Sequence, residues 1–472
     1  MVKILFVYEF EYYEPLGMLY LSSMLKKEGY ECDFVDIKFE KDMIRKVSEI
    51  KPQIILYSLT TGKHLKYKKI NNELKQNFKF TSVFGGPHCT FFPDFINEDG
   101  VDVVARGECE QALIELVKGI NEKRDITKIK NLWIKQDGKI YKNELRGLVE
   151  DLDSLPHPDR FLMTKYPIYK NFRKKYVIAG RGCPYQCTYC FNKVFNKIYK
   201  GKGGMIRLRS LDNLFDELHQ IKNGHETKLF HFSDDTFILN KKWVLEFCKR
   251  YKEEIGIPFS CHLRCNLVDE EIVKGLSEAG CHSVFYAIEC GNEKLRNDVL
   301  KRNMSDEQII KTSSLCHKYG IKTFVQNIVG LPDETLDNVF ETIRLNIKCK
   351  PDYAWFSLFQ PYPGTELCDY SIQKGYFSGD SNSLSHTFFK DSVMKLKDID
   401  KIIRLHHLGS VCVAFPFILP LVKRLINLPL DTLYHKVWNV HRIWCYYFKN
   451  QWFRLIRLSD MVWLMLNKKN ST

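Results

Sequence analysis

Three cysteines within eight residues carry the most specific chemistry in this chain. Cys183, Cys187 and Cys190 lie in the stretch RGCPYQCTYCFNK, spaced C-x3-C-x2-C. Gly, Pro, Gln, Thr and Asn surround them, the composition of a loop and not of a packed helix face. Three thiols is an awkward count. A closed zinc site takes four ligands, and a disulfide framework takes an even number. Zinc would have to recruit His231 or Cys261 as a fourth ligand, each from a different strand. Thiolates are also the natural ligands of iron–sulfur clusters. Three of them on a 4Fe–4S cluster leave one iron free to bind a substrate.

The elements that must position this loop are legible on both sides of it. Strand-like runs recur six times, near YVIAG (Tyr176), LFHFSDD (Leu229), PFSCHLR (Pro258), HSVFYAIE (His282), KTFVQNIVG (Lys322) and YAWFSLF (Tyr353), with amphipathic segments between them. One of these, SLDNLFDELHQIKN, starts at a Ser210 cap and lines up Leu211, Leu214, Phe215 and Leu218. The pattern predicts a partial (βα)6 barrel of TIM type over 171–385. Its chemistry belongs at the strand carboxyl ends, where the cysteine loop follows the first strand. Cys261 and Cys265 in CHLRC read as alternating neighbours on the third strand, not as a second cluster.

Upstream, KILFVY, CDFVDI, QIILYSL, FTSVFGG and VDVVARGE alternate with helical patterns. This predicts a doubly wound parallel sheet in an α/β domain spanning 1–145. Ligands of such sheets bind beyond the strand carboxyl ends. Here those ends carry Ser58, Thr60, Gly85, Gly86, His88, Gly107 and Glu108. NLWIKQDGKIYKN reads as a hairpin turning at Asp137-Gly138. Residues 146–170, with DLDSLPHPDR at their centre, read as a linker, and 386–472 as an α-helical end region.

Composition sets the class. At 472 residues, with 44% hydrophobic and 27% charged side chains, the chain is globular and divides into two or three domains. The start MVKILFVYEF has no signal-peptide pattern, and no run reaches the ~18 apolar residues of a membrane span. A cytoplasmic protein with reduced thiols is expected, so its sixteen cysteines are not read as disulfides. The net charge of +14 is concentrated at the end: residues 401–472 hold eleven Lys and Arg against two Asp and no Glu, with four of the seven Trp. Three readings stand for this tail. It packs as a helical cap on the barrel, lies peripherally on the inner face of a membrane, or meets nucleic acid; the last is the least favoured.

C-x3-C-x2-C after the first strand of a six-fold barrel, with Tyr189 before the last cysteine, resembles the radical S-adenosylmethionine superfamily. The resemblance implies that the open iron chelates S-adenosylmethionine, and that an electron from a flavodoxin- or ferredoxin-type donor cleaves it to a 5′-deoxyadenosyl radical. FSDDTF, YAIECGNEKLR, QNIVGLPDET and PYPGTEL match the family's later strand ends in order, although FSDDTF stands where Gly-Gly-Glu is more usual. The implied S-adenosylmethionine contacts are Tyr189, Ser233, Asp234, Arg264, Glu289 and Gln326.

Residues 1–120 resemble the cobalamin-binding domain fused to many of these enzymes, which assigns the strand-end residues Ser58 to Glu108 named above to cobalamin. The sequence EFEYYEPLG after the first strand lacks the histidine of D-x-H-x-x-G. Cobalamin bound without an imidazole on cobalt is the expectation, with His88 at the corrin periphery or capping a turn. Together the two resemblances imply methylation of an unactivated carbon in a small-molecule or lipid-like substrate. Ring formation or rearrangement with the same cofactors stays open, as does a non-catalytic sensor. An RNA methylthiotransferase is disfavoured, because Cys32, Cys89 and Cys109 do not form a second triplet.

Overall fold

The computed structural model describes residues 2–11, 13–380, 383–385 and 387–445. Two units make up this chain: residues 2–171 with 198–213, and residues 172–197 with 214–445. In the first, the apolar runs become β1 (Lys3–Tyr8), β2 (Glu31–Asp36), β3 (Ile54–Ser58), β4 (Thr81–Gly85) and β5 (Val103–Ala105). They pair in parallel in the order β2-β1-β3-β4-β5. Leu5, Val7, Val35, Ile55, Phe84 and Val104 are core residues together with Tyr67 and Leu74 of the helix His64–Lys75. β5 is shorter than its sequence run, because the Arg106 N–H turns to the Asn131 carbonyl and Gly107 takes φ 68°. The hairpin forms as β6 (Leu132–Gln136) and β7 (Lys139–Lys142) and extends the same sheet in antiparallel fashion. Asp137 and Gly138 both take positive φ, 50° and 72°, as a two-residue primed turn requires.

Residues 146–170, expected as a linker, pack within this first unit. Arg160 and Glu14 form a buried ion pair at 2.6 Å, Ser22 donates to Asp159 at 2.7 Å, and the Tyr169 hydroxyl donates to the buried Asp36. Leu152, Leu155, Leu162, Met163 and Ile168 are buried. The prolines do keep the segment out of long helices and strands. Its apolar and ionic side chains nonetheless fasten it down.

The second unit contains six parallel strands: β8 (Lys174–Val177), β9 (Leu229–Phe232), β10 (Phe259–His262), β11 (Cys281–Glu289), β12 (Lys322–Val329) and β13 (Tyr353–Leu358), each paired with the next. The order matches the expected partial barrel. One face of the strands is identified by ring contacts. His231 of β9 lies 5.3 Å from Phe285 of β11, across the intervening strand, and 5.1 Å from Tyr176. Phe285 stacks on Phe324 at 4.9 Å. The inner face therefore carries Tyr176, His231, His262, Phe285 and Phe324 and, two residues on from Phe324, Gln326. Helix starts are fixed by side-chain caps at Asn240, Asp269 and Thr365 and by capping boxes at Ser305 and Thr335.

The end region is helical, as expected, and its described part caps the barrel. The helix Ile399–Ala414 sets Ile402, Leu405, Leu408 and Cys412 against Phe356 and Leu358 of β13 and Phe340 of the helix Leu336–Cys349. Gly409 faces the Phe356 ring so closely that a methyl group there would lie 3.0 Å from it. The helix Asp431–Ile443 buries Tyr434, Trp438 and His441. Residues 446–472, the rest of the expected basic aromatic tail, lie outside the described residues. Among the described residues no helix is long and apolar enough to cross a membrane.

Candidate active site

The three cysteines occupy a loop that leaves the carboxyl end of β8 and is tied down from several sides. Thr188 donates its N–H to the Leu300 carbonyl at 3.2 Å and its hydroxyl to the Val299 carbonyl at 2.7 Å. Its own carbonyl accepts from Leu367 N–H at 3.0 Å. Asn196 donates to the Cys183 carbonyl at 2.9 Å, and Cys190 N–H to the Cys187 carbonyl at 3.2 Å. Asp234 holds the entry: its carboxylate accepts from Ala179 N–H at 3.1 Å and Gly180 N–H at 2.6 Å. Burial pushes that carboxyl up to about 7.

All three cysteines are free thiols. Burial raises Cys183, and pushes Cys190 up to about 12. Cys183 feels the charge of Cys187, and Cys190 that of both other thiols. Yet no group of three or more His, Cys, Asp or Glu among the described residues gathers as around a single ion. Three thiols on one loop are the donor set of an iron–sulfur cluster, in which each thiolate would bind its own iron and binding would release the thiol protons. The fourth ligands considered for zinc are engaged elsewhere: His231 with the Ser260 hydroxyl at 2.7 Å, and Cys261 with Cys281.

Around the loop the structure brings together several of the residues implied for S-adenosylmethionine. Tyr189 donates its hydroxyl to Glu289 at 2.8 Å. Glu289 ends β11 at a break in the strand register and takes φ 65°, a strained value for a residue with a side chain. Burial raises its carboxyl, and Arg302 opposes the rise. Arg264 is buried, lies 3.6 Å over the Tyr185 ring and points Nη1 at the Cys187 sulfur, 3.8 Å away. Ser233 follows β9, and its N–H donates to the Val177 carbonyl. Gln326 is exposed although it faces inward, so solvent enters the barrel there.

Asp234 has another occupation, because both its oxygens serve the backbone N–H groups of Ala179 and Gly180. Its neighbour Asp235 instead hydrogen-bonds Asn192 and acts electrostatically on Cys183 and Cys190. Its side chain is exposed, and its carboxyl is raised, chiefly by the partial burial of its charge. Arg302 joins the site without any motif in the sequence to mark it. It contacts Tyr189 at 2.9 Å, the Ala287 carbonyl at 2.6 Å and the Cys187 sulfur at 3.9 Å. It lies 115 residues from Cys187, in a connection with no periodic pattern, so no local signal pointed to it. Cys265 lies past the strand in a short turn, Cys265–Leu267, and is buried. In the segment QNIVGLPDET, Glu334 accepts from Gly330 N–H at 2.6 Å and Leu331 N–H at 3.1 Å through one oxygen.

In the first unit, the strand ends Ser58 and Gly85 lie side by side, and Leu59 N–H donates to the Gly85 carbonyl at 2.9 Å. A methyl group at Gly86 would lie 2.9 Å from the Leu59 backbone, so glycine is needed for this turn itself. Thr60 is exposed, and Ser58 and Gly85 are half-buried. These small side chains form a shelf on which a broad, flat ligand such as a corrin can approach backbone. His88 stacks on His64 with 4.1 Å between ring centres, and its Nδ1 lies 3.2 Å from the Thr61 hydroxyl. Burial and the neighbouring His64 press its imidazole down to about 3. Its ring is thus held between His64 and the Thr61 hydroxyl. Residues 9–15, after β1, offer no histidine. Glu108 forms a two-pronged pair with Arg207 at 2.7 and 2.8 Å and accepts from Val149 N–H. A side chain at Gly107 would collide with the Tyr199 hydroxyl. Both residues are thus engaged in packing within the unit.

Comparison with known proteins agrees with this geometry. Residues 177–345 match the radical SAM superfamily, and residues 3–117 match the B12 binding domain. An uncharacterized methyltransferase of Pyrococcus horikoshii is 30% identical over 409 residues, covering 84% of this chain and 84% of that protein. The anaerobic magnesium-protoporphyrin IX monomethyl ester cyclase of Rubrivivax gelatinosus is 28% identical, covering 75% of this chain and 65% of the cyclase. Among solved structures, the radical S-adenosylmethionine methyltransferase TsrM of Kitasatospora setae, with cobalamin and a 4Fe–4S cluster bound, superposes with a TM-score of 0.65. It is 18% identical, with 79% of this chain and 78% of that one covered.

Proposed function

Because this chain belongs to the radical SAM superfamily, in the branch that carries a B12 binding domain, we propose that it methylates an unactivated carbon. When bound, the cluster and S-adenosylmethionine would supply a deoxyadenosyl radical, and cobalamin the methyl group to be transferred. Cys183, Cys187 and Cys190 would hold the cluster. Arg264, Tyr189 and Glu289 would orient the cosubstrate beside it, and Gln326 would face the reacting pair from the inner wall. Ser58, Thr60 and Gly85 would meet the corrin. The observation that carries this reading is the combination, in one chain, of the three-thiol loop at a barrel's carboxyl end and a shelf of small residues at the carboxyl edge of a doubly wound sheet.

The inner wall near Gln326 is aromatic: Phe285 stacks with Phe324, and Trp355 of β13 meets Phe389 at 5.0 Å. Such a wall favours a largely apolar substrate of lipid or natural-product type. The test is anaerobic reconstitution with iron, sulfide and cobalamin, followed by S-adenosylmethionine and reduced flavodoxin or ferredoxin. 5′-Deoxyadenosine should form, and should be absent from Cys183→Ala, Cys187→Ala and Cys190→Ala proteins. Label from CD3-S-adenosylmethionine should appear in a product of cell extract. Deoxyadenosine without label transfer would favour ring formation or rearrangement, and neither would favour a sensor.

An anionic lipid surface is the partner we assign to the end region. Phe417 is 80% exposed and Val440 69%, and Leu421, Leu433 and Trp444 are exposed as well. Lys423 and Arg424 share the helix Leu419–Leu425 with Leu421, and Lys436 shares the helix Asp431–Ile443 with Leu433 and Val440, with Asp431 the one acidic residue between 415 and 445. Apolar side chains fringed by cations suit anionic headgroups, and like charge disfavours a second copy. Flotation should carry the protein up with phosphatidylglycerol vesicles at low salt but not with phosphatidylcholine alone. Equal recovery of wild type and a Phe417→Glu, Val440→Glu protein would overturn the assignment.

A further inference from the structure

Two buried cations converge on one cysteine. The Nη1 atoms of Arg264 and Arg302 lie 3.8 and 3.9 Å from the Cys187 sulfur. Neither guanidinium is free to swing away. Arg264 lies flat on the Tyr185 ring, and its Nη2 donates to the Arg302 carbonyl. Arg302 is pinned by the Ala287 carbonyl and the Tyr189 hydroxyl. The two residues are 5% and 7% exposed.

Their charges are unequally balanced. Arg302 has Glu289 at 3.9 Å. The contacts of the Arg264 guanidinium are an aromatic ring, a carbonyl and a sulfur, and its buried Nε has no hydrogen-bond partner. None of them is a carboxylate. Glu289 feels the Arg264 charge without an ion-pair contact to it; a buried guanidinium so weakly balanced is costly, and a fold keeps one where negative charge is to be received. A thiolate-ligated cluster brings that charge to this point.

We infer that Arg264 and Arg302 form a cationic clamp on the Cys187 sulfur that raises the reduction potential of the cluster. The inference rests on the cluster assignment proposed above. Reduction adds one electron from the external donor to the cluster, with no bond made or broken. Net charge and hydrogen bonds to sulfur are among the features that set the potential of such clusters. Positive charge fixed beside a ligating sulfur favours the reduced, more negative state.

The experiment is a redox titration of reconstituted holoprotein, followed by absorbance and electron paramagnetic resonance, on wild type, Arg264→Met and Arg302→Met. Iron and sulfide content are measured first. A wild-type protein that holds no 4Fe–4S cluster would overturn the cluster assignment and leave nothing for a clamp to act on. With clusters intact, each Met variant should lower the equilibrium constant for reduction about tenfold, a fall of about 59 mV for a one-electron couple. Arg→Lys variants, which keep the charge, should recover most of it. Where a Met variant loses iron, the Gln variant keeps a donor without the charge and carries the same expectation. An unchanged potential in the neutral variants at full iron content would overturn the clamp. So would weakened S-adenosylmethionine binding as their sole effect, which would make the arginines ligands of its carboxylate instead.

Discussion

Replacing Glu334 with Gln should stabilise the protein in alkali and leave it unchanged in acid. Glu334 is buried, and burial pushes its carboxyl from 4.5 up to about 8, against the pull of the Gly330 and Leu331 N–H groups. Its folded value lies above its unfolded one, so the native state binds the extra proton. The stability this contributes is full below about 4.5 and is lost as pH rises through about 8. The interval of about 3.5, at 1.36 kcal/mol per pH unit, sets an upper bound of about 5 kcal/mol. Gln keeps the geometry, because a single oxygen of Glu334 accepts both N–H bonds, and the other oxygen only approaches the Cys290 sulfur at 4.0 Å. Wild type and Glu334→Gln should therefore melt within about 1 kcal/mol of each other at pH 4, while at pH 6 the variant should already lead by about 2 kcal/mol, and the lead should widen to pH 9. At pH 9 the variant should melt several degrees higher, at about 2–4 °C per kcal/mol for a unit of this size. Thermal unfolding of the metal-free protein under reducing conditions measures both. Because Asp234 and Asp36 are also raised by burial, the wild-type slope alone decides nothing; the difference between the proteins does. Equal losses from pH 6 to pH 9 in both would refute the reasoning.

Other outcomes follow from the same contacts. Arg207→Met should cost about 3–5 kcal/mol, because it leaves Glu108 without its two-pronged partner in a nearly dry site; adding Glu108→Met should restore part of the loss, read as the melting midpoint. Asp234→Asn should lower iron loading of the cysteine loop, since an amide nitrogen cannot accept from both Ala179 and Gly180, whereas Asp235→Asn should load normally. His88→Ala should leave the spectrum of bound cobalamin unchanged, because the imidazole is stacked on His64 and kept neutral; a spectral shift on substitution would make it a cobalt ligand.

Where pattern is imposed by burial, the sequence could be read closely. Strands covered on both faces must be apolar throughout, and β1, β3 and β4 fall within a residue or two of their sequence runs. Chirality and strand order did the rest for the six parallel strands of the second unit. Where segments carry no period, reading stopped. The stretch 146–170 looks like punctuation because proline is visible in sequence and the destination of Arg160 or Tyr169 is not. The same holds for residues 198–213, which supply Tyr199 and Arg207 to the first unit although they follow the cysteine loop in sequence.

The candidate site divides along the same line. Its thiols announce themselves by spacing, because neighbouring ligands on one loop must be close in sequence. The groups around them need only be close in space. Tyr189 follows β8, Arg264 follows β10, and Glu289 and Arg302 lie at the end of β11 and in the connection beyond it; what joins them is charge. Glu289 shows why the arrangement is specific. Its positive φ is a cost that a β-strand terminus need not carry, and glycine would relieve it. The carboxylate is instead held by the Tyr189 hydroxyl and faced by Arg302. Strain, one anion and one of the two cations thus depend on one another. Removal of Tyr189 would free Glu289 to bind Arg302 more closely and draw that cation away from the Cys187 sulfur. The residue before the last cysteine therefore acts on the cluster site through two charges that no spacing in the sequence connects.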